Sequence, residues 1–110
     1  MTKPPLAVLL IAVLYITMGA IGFAYHASEL ATFSAEALGI EAVRLLAIVA
    51  GVFMWLRRDW ARWLAIAWIL FHVVVGAFHG WTQFAIHALF AAIIGWALTR
   101  RSAAAWFARG

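Results

Sequence analysis

The sequence predicts an all-α protein, a four-helix transmembrane bundle with antiparallel, up-and-down topology. Hydrophobic residues make up 68% of the 110 residues and charged residues 11%, whereas a soluble domain is roughly half apolar and about a quarter charged. A chain of this length forms one domain and lacks the interior to hide so much apolar surface. We therefore expect the lipid bilayer to cover most of it, and four apolar runs along the chain are long enough to cross that bilayer.

The four expected spans cover residues 6–25, 40–56, 60–78 and 81–98. A helix needs about 17–25 residues to cross the hydrocarbon core, so the second and fourth spans are short. The first span has no charged residue, and Lys3 before it resembles the start of a signal peptide. This span is longer than the apolar region of a signal peptide and lacks a clear Ala-x-Ala cleavage site, so we expect it to be retained.

The connections between the spans predict how neighbouring helices pair. Residues 57–59 link the second and third spans, and residues 79–81 link the third and fourth. Such short links place consecutive helices side by side and antiparallel. The loop at 26–39 is long enough for a short surface helix that would end at Gly39. The tail at 102–110 either lies along the inner leaflet or is a frayed terminus.

The positions of the basic residues predict the orientation in the membrane. Seven of the eight Lys and Arg residues precede the first span, surround the link between the second and third, or follow the fourth. The loop at 26–39 has none of them and carries Glu29 and Glu36. Because cytoplasmic segments carry the excess of Lys and Arg, we expect a bacterial inner-membrane protein with both termini in the cytoplasm. The seven residues are Lys3, Arg57, Arg58, Arg62, Arg100, Arg101 and Arg109.

Small residues on each span predict where the helices pack. In lipid, helices associate through close packing at Gly and Ala rather than through the expulsion of water. We interpret these residues as contacts within the bundle, and the same kind of helix face would serve a homo-oligomer or a larger membrane complex. The expected helix-packing glycines are Gly19, Gly22, Gly51, Gly76 and Gly95.

Polar and ionisable side chains collect in the half of the bundle near the 26–39 loop, where their cost in lipid makes them functional candidates. His72 and His87 are eight and seven residues from Gly80 in the third connection, so they lie at similar depth. If their helix faces meet, the two imidazoles approach each other inside the bundle. The candidate polar site comprises His26, Glu41, Arg44, His72, His79, Gln83 and His87.

Glu41 and Arg44 are three residues apart on one helix and can form an ion pair, which would lower the cost of placing Arg44 below the membrane surface. The alternative is that Arg44 snorkels towards the membrane surface. Besides hydrogen bonding between helices, three roles are open for the histidines: a metal site, b-type haem ligation or a proton relay. His72 and His87 are the metal candidates, but adjacent helices lie about 8–10 Å apart, which is a poor match to haem. The sequence predicts no bound metal and no cofactor.

Several local patterns occur together: Lys3-Pro4-Pro5 before the first apolar helix, Tyr15 with Gly19 and Gly22, and Arg58-Asp59-Trp60-Ala61-Arg62-Trp63 at the start of the third. In this general layout, most of the chain resembles small four-span bacterial membrane proteins of uncharacterised or DoxX-like type. The resemblance implies a four-span bundle and carries no settled activity with it. Small multidrug resistance transporters have the same size and number of spans, but their first helix carries an essential glutamate that this chain lacks.

The sequence contains no motif for enzymatic chemistry. It has no cysteine, no Gly-rich phosphate loop, no HExxH and no GxSxG, and no basic patch outside the membrane boundary that would bind nucleic acid. We therefore expect a non-enzymatic membrane protein that acts as an accessory or scaffold subunit or as a homo-oligomer. The alternatives are a small transporter or channel built on the polar site, and a redox subunit with a metal or haem bound by histidine.

Overall fold

The computed structural model describes residues 3–32 and 34–108, and only the backbone of Glu29, Leu30 and Thr32. Arg109, which contributes to the predicted charge pattern, lies outside these residues. The described chain is helical without strands, and four of its helices are long and apolar enough to cross a membrane. The predicted all-α bundle is therefore confirmed, and the helices indicate a multi-pass membrane protein. The elements are α1 (Leu6–His26), a 3-10 helix (Ala27–Thr32), α2 (Ala35–Trp55), α3 (Asp59–His79), α4 (Trp81–Thr99) and α5 (Arg101–Ala108).

The second long helix starts earlier than the apolar run in the sequence. Ser34 caps it, because its hydroxyl oxygen accepts a hydrogen bond from the backbone N–H of Ala37 at 3.0 Å. Glu36 in the first turn is stabilised by the positive end of the helix dipole. The surface helix expected to end at Gly39 is therefore wrong, since these residues form the first turns of α2. As a result, Arg44 lies about 14 Å from the start of α2, near its middle.

Two tight turns connect the remaining long helices. After α2, the N–H of Arg58 donates to the carbonyl of Phe53 at 2.9 Å and that of Arg57 to Met54 at 3.2 Å, which is the paired pattern of a Schellman motif. Arg57 is left-handed (φ 65°) at the position that usually holds glycine. Between α3 and α4 only Gly80 intervenes, with a φ of 144° that a side chain would disfavour. Both turns bring consecutive helices side by side and antiparallel.

The bundle consists of two closely packed hairpins, α1 with α2 and α3 with α4. A Cβ atom on Gly51 would lie 2.7 Å from the carbonyl oxygen of Ala12, and one on Gly19 would lie 2.8 Å from that of Arg44. Backbone therefore approaches backbone at both glycines, and α1 packs against α2 along much of its length. Helices α2 and α3 are in looser contact, and α1 and α4 barely touch. A gap therefore remains between α1 and α4.

The glycines expected at contacts on α3 and α4 differ in their surroundings. A Cβ atom on Gly76 would lie 3.2 Å from the carbonyl oxygen of Gln83, so α3 and α4 approach closely there. A Cβ atom on Gly95 would have no neighbouring atom within 4 Å. Gly95 therefore faces open space on α4 and does not lie at a contact within the described part of the chain.

Helix α5 covers one end of the bundle, here called the terminal end because α1 starts and α4 ends there. Trp106 donates from Nε1 to the carbonyl of Met54 at 3.1 Å, and Phe107 is buried beside it. The guanidinium of Arg57 lies over the Trp106 ring, 3.9 Å from its centroid. A frayed terminus is therefore wrong for Arg101–Ala108, which pack against the hydrophobic core. The opposite end, with the 3-10 helix and the α3–α4 turn, is called the loop end.

The hydrophobic core fills only the half of the bundle next to the terminal end. Towards the loop end, its last members on the four long helices are Tyr15, Ala47, Ile69 and Ile94. Large apolar side chains are instead exposed on the outside of all four helices, which suits a surface in contact with lipid. The loop half of the bundle therefore lacks a closed hydrophobic core, although all four helices extend through it. The polar residues lie in that half.

Candidate functional site

Two clefts occupy the loop half of the bundle. The first, here called the loop cleft, lies between α2 and α3, runs from the exposed first turn of α2 to Arg44 and His72, and has a volume of about 400 Å³. The second, here called the lateral cleft, is lined by all four long helices and has a volume of about 460 Å³. Both volumes fall in the range of about 300–1,000 Å³ that is usual for ligand pockets. Arg44 and His72 line both clefts, so these two side chains form the junction between them.

The lateral cleft is mostly apolar and opens at the side of the bundle. Its rim includes Leu14 and Met18 from α1 and Phe90 from α4, and each of these side chains is about half exposed. Ile69 and Ile94 are buried at its floor. Because α1 and α4 barely touch, the cleft opens between them, on the surface that would face lipid.

The side chain of Arg44 extends from α2 across α1. A Cβ atom on Gly22 would lie 2.7 Å from both Cδ and Nε of Arg44, so the glycine leaves the room that the arginine occupies. Gly19 faces the backbone of Arg44 and Gly22 faces its side chain, so the side chain runs about one turn towards the loop end. Across the described residues, Arg44 has no hydrogen bond, ion pair or cation–π contact. Its N–H donors are therefore open to a ligand in the clefts.

The two histidines expected to approach each other do so across the α3–α4 hairpin. The ring centroids of His72 and His87 are 6.1 Å apart, and their planes are inclined by 30°. Nδ1 of His72 bonds to the carbonyl of Trp68 at 2.9 Å, and Nδ1 of His87 bonds to that of Gln83 at 2.8 Å. Because a carbonyl oxygen only accepts, Nδ1 carries the proton in both rings. In the neutral form of each ring, Nε2 is then an acceptor for a ligand.

An aromatic wall, which the sequence analysis did not assign to the site, supports His72. The Trp68 ring packs against the His72 ring with centroids 3.9 Å apart and planes tilted by 31°, and the Tyr15 ring centroid lies 5.2 Å from that of Trp68. The Tyr15 hydroxyl donates to the carbonyl of Ala65 at 2.7 Å, and Trp68 Nε1 donates to that of Val43 at 2.8 Å. These two bonds hold the wall to three helices. The four-residue spacing of Trp68 and His72 is the signal in the sequence that could have identified it.

The ion pair that the spacing of Glu41 and Arg44 allows is absent. Glu41 is 3% exposed, and neither carboxylate oxygen has a hydrogen-bond partner among the residues that the structure describes. Gly22 leaves room for the Arg44 side chain across α1, and Arg44 lines both clefts. Glu41 lines neither cleft. Arg44 is therefore the charged side chain that a ligand at the junction would meet.

Four of the seven predicted site residues lie away from the clefts, Glu41 and three others. His79 is exposed at the end of α3, where its Nδ1 bonds to the carbonyl of Val75 at 2.8 Å. The side chain of Gln83 is exposed. His26 ends α1 with its ring edge against Tyr25, at a centroid distance of 5.0 Å. The clefts thus bring together Arg44, His72 and His87.

The charge at the junction favours an anion over a cation. Among the described residues there is no group of three or more His, Cys, Asp or Glu side chains that could hold a metal ion. Arg44 lines the same clefts as His72, and its positive charge opposes the binding of a metal cation there. The same charge attracts an anion, and the clefts give such an anion two routes to the guanidinium.

Comparison with known proteins identifies no relative. No protein-family model matches the sequence, and neither the curated proteins nor the solved structures give a significant match. The resemblance to DoxX-like proteins therefore stays a prediction.

Proposed function

We propose that this protein is a small, non-enzymatic protein of the bacterial inner membrane that binds a ligand at the Arg44–His72 junction and passes it between the outer aqueous face and the bilayer. The observation that carries this proposal is that Arg44, whose guanidinium has no hydrogen bond or ion pair with a described residue, lines both clefts. An arginine in a membrane-spanning helix has a large desolvation cost, which a bound anion offsets. The junction therefore has the character of a ligand site.

The packing at the terminal end favours a binding or carrier protein over a channel. The hydrophobic core fills that half of the bundle, and α5 lies over its end. Arg62 ties α3 to α4 there by donating from Nη1 to the carbonyl of Leu98 at 3.1 Å. A channel needs a continuous path through the bundle. A ligand at the junction would instead enter and leave through the loop cleft or the lateral cleft.

The proposed orientation follows from the distribution of basic residues. Arg57 and Arg58 lie in the α2–α3 turn, Arg100 lies between α4 and α5, and Arg101 begins α5, all at the terminal end. Cytoplasmic segments carry the excess of Lys and Arg, so the terminal end is assigned to the cytoplasm. The loop cleft then faces the outer side of the membrane.

Single cysteine variants test the proposed site, because the chain has no cysteine of its own. In Val75→Cys, the new thiol lines the loop cleft nearer to the loop end than His72. We expect the anionic reagent sulfonatoethyl methanethiosulfonate to react faster there than its cationic trimethylammonium analogue, because Arg44 attracts the anion. The rates are measured by mass spectrometry of the purified protein in nanodiscs of neutral lipid.

Two further variants control this measurement. Ser28→Cys places a thiol on an exposed residue that lines neither cleft and gives the intrinsic ratio of the two rates. The ratio of anionic to cationic rates should be higher at Val75→Cys, and adding Arg44→Gln should return it to the Ser28→Cys value. A thiol at position 75 that reacts with neither reagent, or a ratio that does not respond to Arg44→Gln, would refute the proposed ligand site.

A second function, as an accessory or scaffold subunit or as a homo-oligomer, is favoured by the outer face of α4. Gly95 faces open space there and continues a strip of small residues with Ala88, Ala92 and Thr99. Small residues let a second helix approach closely in lipid. Gly95→Leu should therefore weaken an oligomer or complex, as measured by cross-linking in membranes. Gly39→Leu is the matched control, since Gly39 also faces open space but lies on α2.

The third function considered for the sequence is a redox subunit with a metal or haem bound by His72 and His87. An absorption spectrum and elemental analysis of the detergent-purified protein test it directly. A Soret band or stoichiometric metal would make the histidines cofactor ligands and would overturn the proposal of a ligand carrier.

A further inference from the structure

We infer that the ligand is an anionic, single-chain amphiphile, whose acidic head binds at Arg44 and whose apolar chain lies in the lateral cleft. This inference rests on the proposed function, because it names the chemical class that the same site would take. It depends on three features of the junction: the guanidinium, the two imidazoles, and an apolar cleft that opens towards lipid.

The guanidinium of Arg44 determines the charge of the head group. Its N–H groups only donate, and none of them bonds to a described residue. Carboxylates and phosphates match the planar fork of a guanidinium and form two parallel charge-assisted hydrogen bonds with it. The acidic residue that lines the loop cleft, Glu36, is exposed at the first turn of α2, away from the junction. An acidic head is therefore attracted to the junction, and an amine is repelled from it.

His72 and His87 add hydrogen-bonding groups suited to an acid. Both line the lateral cleft, and both use Nδ1 for a backbone carbonyl of their own helix. Nε2 of the neutral ring accepts a hydrogen bond from the O–H of a protonated acid, and Nε2–H of the charged ring donates to an anion. The junction therefore accommodates an acid in either protonation state.

The lateral cleft determines the rest of the ligand. Leu14, Met18 and Phe90 form an apolar rim between α1 and α4, and Ile94 is buried behind them. A polar anion without an apolar part would leave this surface uncovered, whereas an alkyl chain covers it at a gain of about 25 cal/mol per Å². A cleft of about 460 Å³ suits one chain better than two. The far end of that chain would continue into the bilayer.

The experiment uses Trp68, which lines the lateral cleft, as a detector. Bromine atoms on an acyl chain quench indole fluorescence on contact. The probes are dibrominated stearic acid and its methyl ester, which share the chain and differ in charge, added to the full-length protein in neutral detergent micelles. We expect saturable quenching by the acid, with a Kd about tenfold or more below that of the ester, because the ester loses the charge-assisted hydrogen bonds.

Three variants locate the signal. Six of the seven tryptophans lie elsewhere, so Trp68→Phe should remove most of the saturable quenching. The fluorescence of the other six tryptophans should remain. Arg44→Gln should weaken binding of the acid to the level of the ester and leave the ester unchanged. Arg100→Gln removes an equal charge from a side chain that lies over Trp96, outside both clefts, and should leave both titrations unchanged.

The possible results separate this inference from the proposed function. Equal affinity for the acid and the ester, or an affinity for the acid that Arg44→Gln does not change, would overturn the inferred acidic head group. Binding of a ligand in the lateral cleft would still be supported. If inorganic phosphate displaces the acid as effectively as unbrominated stearate does, the inference that the ligand is an amphiphile is overturned. The junction would then be a site for a free anion. Quenching that does not depend on Trp68 overturns the inference, and the reagent ratio at Val75→Cys then decides separately whether the proposed function stands.

Discussion

Single glycines determine how closely α1 and α2 approach. In Gly51→Ala, the added methyl group would lie 2.7 Å from the backbone oxygen of Ala12, which cannot move aside without separating the helices. We expect a loss of about 1–3 kcal/mol in the free energy of unfolding, measured by titration with sodium dodecyl sulfate in mixed micelles. Gly95→Ala is the matched control, and its effect should stay below about 1 kcal/mol because that position is open. Equal losses in both variants would contradict the close contact.

Arg57 combines an unfavourable backbone conformation with a favourable side-chain contact. Its left-handed φ of 65° costs about 1–2 kcal/mol for a residue other than glycine, whereas its guanidinium packs on the ring of Trp106. Arg57→Ala removes the contact and keeps the backbone cost, and Arg57→Gly removes both. The same unfolding titration should therefore find Arg57→Gly more stable than Arg57→Ala by about 1 kcal/mol. The opposite order would argue against the Schellman turn.

Arg44 shows what residue spacing could and could not predict. Its position three residues after Glu41 correctly indicated two charged groups on neighbouring turns of one helix. The spacing could not show which neighbouring helix offers space to each side chain. Gly22 on α1 supplies that space for Arg44, and this contact joins residues far apart in the sequence. Arg44 extends into that space and forms no ion pair with Glu41.

At the scale of whole elements, hydropathy and helix capping indicate different starting residues for α2. The apolar run begins at Ile40, and this predicted the start of the span. The helix itself begins at Ala35, where Ser34 supplies the N-cap. Hydropathy identifies the part of a helix that suits lipid, whereas the cap decides where the backbone becomes helical. A polar first turn outside the apolar run is therefore missed when the span is assigned from hydropathy alone.

Helix α5 gives a prediction about a whole element. Trp106 is 7% exposed and bonds to the carbonyl of Met54, whereas Trp96 on α4 is 62% exposed. Trp106→Ala should lower the free energy of unfolding by about 3–5 kcal/mol, because it removes a buried ring and its hydrogen bond. Trp96→Ala should change it by about 0.5 kcal/mol or less, as is usual for exposed positions. Similar effects of the two substitutions in the unfolding titration would mean that α5 is not packed on the bundle.

At the scale of the whole molecule, the two halves of the bundle differed in how far the sequence could predict them. The approach of His72 to His87 followed from their similar distances, eight and seven residues, to Gly80 in one short turn, which is local information. The clefts depend on the gap between α1 and α4, which are far apart in the chain and make few direct contacts. A pattern of residues within each span indicates its own polar face. It does not indicate whether a neighbouring helix covers that face.

The orientation of the molecule can be tested with the same cysteine-free chain. Ser28→Cys places a thiol at the loop end and Ser102→Cys places one on α5, and both positions are exposed. A membrane-impermeant maleimide applied to intact cells should label Ser28→Cys at once. Ser102→Cys should be labelled only after the membrane is permeabilised, because the excess of basic residues predicts that the terminal end lies in the cytoplasm. The reverse pattern would place the loop cleft on the cytoplasmic side, and a ligand would then reach Arg44 from the cytoplasm. Equal labelling of both variants would indicate insertion in two orientations, which would contradict the dominance of the positive charges at one end.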